Sequence, residues 1–98
     1  MKEEMAEVSM KERILESIRD IVGPWVSDEE AAERIDENTD LLTEVGLDSI
    51  GVLHVVLGVE KEFGVKIEDF ELSSEMFSRA GDFAELVKKK IYEADKPA

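Results

Sequence analysis

The stretch between Asp48 and Gly64 constrains the fold more than any other part of the chain, because its fifteen residues carry two apolar stripes at helical spacing. Val52, Val55, Val56, Val59 and Phe63 share one side, while Ile50, Leu53, His54 and Leu57 recur at i, i+3, i+4 and i+7 on another. Asp48 stands where an N-cap is needed and Gly64 where a C-cap glycine stops a helix. A 98-residue chain has one modest core. A bundle of short helices that small hardly covers both sides of one member, so the second stripe is read as an exposed face.

The remaining periodicity is also helical. Ser9-Met10-Lys11-Glu12 fits a capping box, and Met10, Ile14, Ile18, Ile21 and Val22 follow at helical spacing, which predicts a first helix over 9–22. Gly23-Pro24 ends it. Pro24 to Asp48 is a long connection in which Ser27-Asp28-Glu29-Glu30 can cap a short helix over 28–34. Trp25 is read as an anchor for this loop, with Leu41, Leu42, Val45 and Leu47 turned inward. The second helix is Ser49 to Phe63. An extended link at Val65-Lys66-Ile67 leads to a short third helix over 71–77, carrying Leu72, Met76 and Phe77. Phe83, Leu86, Val87 and Ile91 mark a last helix over 80–93, with Lys88, Lys89 and Lys90 complementing its C-terminal dipole. The expected fold is all-α: a four-helix bundle with a long loop between helices one and two and a short third helix. One domain spans 1–98, with 1–8 and 95–98 expected to fray.

Composition narrows the function. The chain has no cysteine, which excludes a disulfide framework, a thiol nucleophile and a thiolate metal site. The N-terminus lacks a signal-peptide apolar region and no run is long enough to span a bilayer, so a cytoplasmic protein is expected. A net charge of −13 disfavours nucleic acid and anionic membrane. That charge is uneven: residues 26–48 hold nine acids and one base, whereas 49–67 hold two of each. The acid lies in the loop, and the helix after it is neutral.

Ser49 opens that helix, where unpaired N–H groups and partial positive charge accommodate a phosphate. Three roles compete for the segment. A hydrolase is disfavoured, because Gly46-Leu47-Asp48-Ser49-Ile50-Gly51 sets the first glycine one position too early for a nucleophile elbow. The single histidine, His54, projects roughly 140° around the helix axis from Ser49 and cannot serve as its base. Calcium is disfavoured too. Asp36, Asn38 and Asp40 mimic the first three EF-hand ligands, but Leu41 replaces the turn glycine and Leu47 the bidentate glutamate, so no metal is expected. Covalent modification of Ser49 remains, beside the plain reading of an N-cap serine.

Gly46-Leu47-Asp48-Ser49-Ile50 resembles the prosthetic-group attachment motif of acyl and peptidyl carrier proteins, usually Gly-x-Asp-Ser-Leu. The order and spacing of the helices are similar over about 9–92, including Glu60-Lys61-Glu62-Phe63-Gly64-Val65-Lys66-Ile67 and Ala80-Gly81-Asp82-Phe83-Ala84-Glu85-Leu86-Val87. The resemblance implies an acyl-carrier-like bundle that is no enzyme. It implies 4′-phosphopantetheine transferred from coenzyme A to the Ser49 hydroxyl, with Asp48 as the motif residue read by the phosphopantetheinyl transferase. Other implied partners are acyl-ACP synthetases (ACP, acyl carrier protein), ketosynthases and acyltransferases of fatty-acid, specialised lipid or polyketide biosynthesis. A monomer is expected, with Ile50, Leu53, His54 and Leu57 as the partner-binding residues. The alternatives are a peptidyl or aminoacyl carrier, or an unmodified acidic helical interaction domain.

One departure from the family pattern matters. Fatty-acid carriers place acids along the second helix, whereas this surface is read as carrying Gly51, His54 and Leu57, with Glu60 the remaining acid. That favours a specialised carrier whose partners read apolar surface. Gly58, seven residues from Gly51, is expected to stabilise the helix by about 0.5–1 kcal/mol when changed to alanine, if a methyl fits.

Overall fold

The computed structural model describes residues 9–95, whose regular elements are all helices, joined by turns and short extended links with no strand among the described residues. The elements are α1 (Met10–Val22), α2 (Glu29–Glu33), α3 (Ser49–Phe63), a 3₁₀ turn (Asp69–Glu71), α4 (Ser74–Phe77) and α5 (Ala80–Asp95). The expected first, second, third and last helices are α1, α3, α4 and α5, and α2 lies inside the long loop. Residues 1–8 and 96–98, expected to fray, lie outside the described residues, and Asp95 is the last residue of α5.

α1 is the central strut, packed against both α5 and α3. Its buried residues Ile14, Leu15, Ser17, Ile18 and Val22 form one face, with Met10 and Ile21 at the margin. Opposite them lie Val55, Val56 and Val59 of α3 and Phe83, Ala84 and Val87 of α5, all buried. Truncating a fully buried member such as Ile18 to alanine removes about 2–5 kcal/mol. Ser17 is satisfied within this packing because its hydroxyl donates to Glu62 Oε1 at 3.2 Å.

Helix ends differ in detail from the sequence reading. Ser9 caps α1 by accepting the Glu12 N–H, but the Glu12 carboxylate turns to Arg19 instead of reaching back, so only half of the capping box forms. Gly23 keeps right-handed angles, with φ −48°, and Pro24, which has no N–H, is what ends α1. Asp28, not Ser27, caps α2 by accepting the Glu30 and Ala31 N–H groups. α2 runs 29–33 rather than 28–34. Asp48 caps α3 and Gly64, at φ +67°, closes it. The expected helix over 71–77 is broken at Leu72 and Ser73, which are extended, because the Ser73 hydroxyl accepts the Met76 N–H and starts α4 afresh.

Two further expectations change. α5 extends beyond the lysine run, so its last turn holds no base. Lys90 instead pairs with Glu71 at 2.6 Å, each side chain only 20% exposed, and ties the 3₁₀ turn to α5. Gly58 faces α1: a methyl there would sit 2.7 Å from Ile21 Cδ1 and 3.2 Å from Cγ1, so alanine crowds the α1–α3 contact unless Ile21 moves.

Candidate functional site

The long acidic loop is built by its own carboxylates. Asp36 Oδ1 accepts the Asn38 N–H and the Thr39 hydroxyl, while Asp40 Oδ1 accepts the Leu42 and Thr43 N–H groups. The Thr43 N–H, and to a lesser degree the Leu42 N–H, hold the Asp40 carboxyl below the usual carboxylate range. Two of the three residues that mimic calcium ligands, Asp36 and Asp40, thus use their carboxylates to shape the turns, and Asn38 takes part through its backbone N–H. Three backbone bonds moor the loop to the α4–α5 junction: Leu41 N–H to Phe77 O, Ala80 N–H to Thr39 O and Gly81 N–H to Glu37 O, all 2.8–2.9 Å. Leu41 and Leu47 are buried, and Leu42 and Val45 half-buried, as their apolar character requires.

The chain then turns sharply into α3. Gly46 has φ +86°, a left-handed angle that a side chain disfavours, which explains why glycine opens the motif. Leu47 donates its N–H to Leu41 O and tucks into the core. Asp48 is extended, and its Oδ1 accepts the Gly51 N–H at 2.8 Å while its carbonyl accepts from Val52.

Asp48 occupies the cap, so Ser49 is the first residue inside α3 and its side chain has no capping duty. It is exposed, and its hydroxyl makes no hydrogen bond among the described residues. The N–H groups of Ser49 and Ile50 are likewise unpaired at the positive end of the helix. Beside Ser49 opens a cleft of about 370 Å³ whose walls include Leu42, Leu47, Val52, Leu72 and Phe77. A slightly larger cleft, about 410 Å³, lies between α1 and α2 with an acidic rim of Glu16, Asp20, Glu29 and Glu33, away from this serine.

The outer face of α3 stands where the second stripe predicts. Ile50 is 63% exposed, and Leu53 and Leu57 54% each. His54 is exposed but directed to Trp25: their rings stack with centroids 4.5 Å apart. Trp25 is therefore an anchor on α3, although 45% of it remains exposed. Two members of the anticipated outer surface are placed otherwise. Gly51 is buried, with Trp25 Nε1 2.9 Å from where its Cβ would be. Glu60 is half-buried and accepts the Ile67 N–H at 2.7 Å, so it shapes the turn after α3. Sequence reading missed Leu72 and Phe77 as walls of the cleft, because Leu72 falls in the unexpected break before α4 and nothing local marks which face of a four-residue helix, here carrying Phe77, meets another element.

These features suit a phosphodiester-linked arm: a free hydroxyl, unpaired N–H groups for an anion and an apolar cleft alongside. No described helix is long and apolar enough to cross a membrane. A family profile described as "Phosphopantetheine attachment site" matches residues 12–87. An acyl carrier protein of Thermotoga maritima is 29% identical over 84 residues, covering 86% of this chain and 99% of that protein. Two proteins named anthracycline acyl carrier proteins, DauA of Streptomyces sp. (strain C5) and DpsG of Streptomyces peucetius, are each 33% identical over 69 residues, covering 70% of this chain and 76% of theirs. No solved structure matches the chain significantly. The chain belongs to the phosphopantetheine attachment-site family and has the function of its acyl carrier proteins, which bear covalently attached 4′-phosphopantetheine.

Proposed function

We propose that Ser49 is the attachment residue and that the chain is a single carrier domain, monomeric and cytoplasmic, with no catalysis of its own. The observation that carries this reading is the division of labour at the start of α3. Asp48 does the capping, leaving the adjacent Ser49 hydroxyl exposed and unbonded. When bound, the arm supplies a terminal thiol that holds acyl groups as thioesters. In loading, the Ser49 Oγ–phosphorus bond forms as the phosphoanhydride bond of coenzyme A breaks. The hydroxyl proton passes to a base of the transferase or to water, and adenosine 3′,5′-bisphosphate leaves. Ser49 supplies the nucleophilic oxygen, and the helix N-terminus favours the charge carried by the phosphodiester.

Asp48 then serves transferase recognition only through the geometry it imposes and the carboxylate it leaves exposed beside the serine. Ile50, Leu53, His54 and Leu57 form the face that meets partner enzymes, since a contiguous exposed apolar patch on so acidic a protein carries a solubility cost. The neutral charge of residues 49–67 favours partners of a specialised lipid or polyketide pathway over those that read an acidic helix. Intact mass after incubation with coenzyme A and a broad-specificity phosphopantetheinyl transferase, followed by peptide mapping, tests the attachment residue.

A further inference from the structure

We propose that Trp25 is a positioning residue for Ser49: it holds the capped start of α3 in the geometry that presents the serine to the transferase. The proposal rests on Ser49 being the attachment residue. Its basis is the crowding around Gly51. A Cβ at that position would lie 2.9 Å from Trp25 Nε1, 3.0 Å from Leu47 Cδ2 and 3.4 Å from Asp48 Oδ1. The indole thus lies over the Gly51 α-carbon, in a notch that only glycine leaves open, and Gly51 is buried beneath it.

The Gly51 N–H is the donor that fixes the Asp48 cap, at 2.8 Å, and Ser49 lies between donor and acceptor in the chain. Trp25 reaches this notch from a different segment. Its own N–H is held by Val22 O at 2.8 Å, just after Pro24, so it is anchored at the end of α1. Its ring then spans two successive turns of α3, covering Gly51 and stacking on His54 with planes 18° from parallel. A hydrogen bond sheltered from water is held more firmly than an open one. Displacement of a reacting group by about 1 Å can lower a rate about 100-fold, so a frayed cap acts on the chemical step more than on binding.

The test measures kcat and KM for loading of the apo protein by a broad-specificity phosphopantetheinyl transferase with coenzyme A. Trp25→Ala and Gly51→Ala, which empty and fill the notch respectively, each lower kcat about tenfold or more with KM within about twofold. Trp25→Phe, which keeps an aromatic ring on His54, restores most of the rate. Tyr92→Ala, the loss of an exposed aromatic on α5, leaves both constants unchanged. Amide hydrogen exchange needs no loading and gives a second readout: Trp25→Leu speeds exchange of the Gly51 N–H about tenfold or more, while Val59 is unaffected. Unchanged kcat overturns the proposal, as does a rise in KM alone, which makes Trp25 a transferase contact, or unchanged Gly51 exchange. If Trp25→Ala does not fold, Gly51→Ala and the exchange measurement decide. Wild-type protein that gains no mass refutes Ser49 as the attachment residue and leaves the exchange result to judge Trp25.

Discussion

The indole of Trp25 and the imidazole of His54 lie stacked, ring centroids 4.5 Å apart, and they are the chain's only tryptophan and only histidine. This contact joins the loop after α1 to the outer face of α3, over residues with no sequence proximity. The pair is a built-in reporter of that junction. His54→Ala should lower stability by about 0.5–1 kcal/mol, the worth of an aromatic stack at a part-exposed site. It should also raise the accessibility of Trp25 to acrylamide. A variant with wild-type quenching and melting would mean that the two rings do not hold each other in solution.

Gly46 offers a backbone test without packing effects. Its φ is +86°, and an added Cβ would meet nothing within 4 Å. Gly46→Ala should therefore cost about 1–2 kcal/mol in urea unfolding, through backbone strain alone. Gly46→Asn should cost less, since asparagine tolerates left-handed angles better. Equal losses for both would point to a different cause.

The Glu71–Lys90 pair gives stability a predictable pH dependence. The Lys90 ammonium, followed by the Glu68 N–H, holds the Glu71 carboxyl below the usual carboxylate range. The Glu71 hydrogen bond in turn raises Lys90 above the usual lysine value. For Glu71 the folded state binds its proton more weakly than the unfolded state. The contribution is therefore present above the ordinary carboxylate range and is lost as pH falls through the depressed folded value. Lys90 is raised on folding by the same carboxylate, so its side of the pair is lost at high pH only in strong alkali and at low pH together with the Glu71 charge. The melting-temperature gap between wild type and Glu71→Gln should be present at neutral pH and close on acidification. A gap that persists at low pH would contradict this assignment.

The partner face is tested by charge insertion. Leu57 is 54% exposed, so Leu57→Glu should leave the melting temperature nearly unchanged. It should raise the transferase KM about 5–30-fold, equivalent to about 1–2 kcal/mol, with kcat little altered. That pattern is the reverse of the one expected at Trp25. An unfolded variant or an unchanged KM would remove Leu57 from the partner face.

Much of this architecture is legible locally. The two stripes of α3, its cap Asp48 and its stop Gly64 depend on spacing and end chemistry within one segment, and the helix bounds 49–63 follow from them. The face carrying Ile50, Leu53 and Leu57 follows from counting what a small bundle can cover. What escapes is set by residues far apart in the chain. Gly51 reads as surface until Trp25 is seen lying over it, and Glu60 reads as a free acid until the Ile67 N–H reaches it. Lys90 looks like a helix-dipole residue because its partner, Glu71, lies on another element. Gly58 looks like a site for stabilisation until Ile21 of α1 faces it. The break at Leu72 and Ser73 is missed for a local reason, since a serine cap competes with helix continuation by a small margin.

The central claim is that the Ser49 hydroxyl carries the arm. Its most direct measurement is the intact mass of wild-type and Ser49→Ala proteins after incubation with coenzyme A and a broad-specificity phosphopantetheinyl transferase. Wild type should gain one phosphopantetheine mass. Ser49→Ala should gain none while keeping its helical spectrum and a stability close to wild type, because Asp48 rather than Ser49 provides the cap. A Ser49→Ala protein that still gains the phosphopantetheine mass, or a wild-type protein that gains none, would contradict the account.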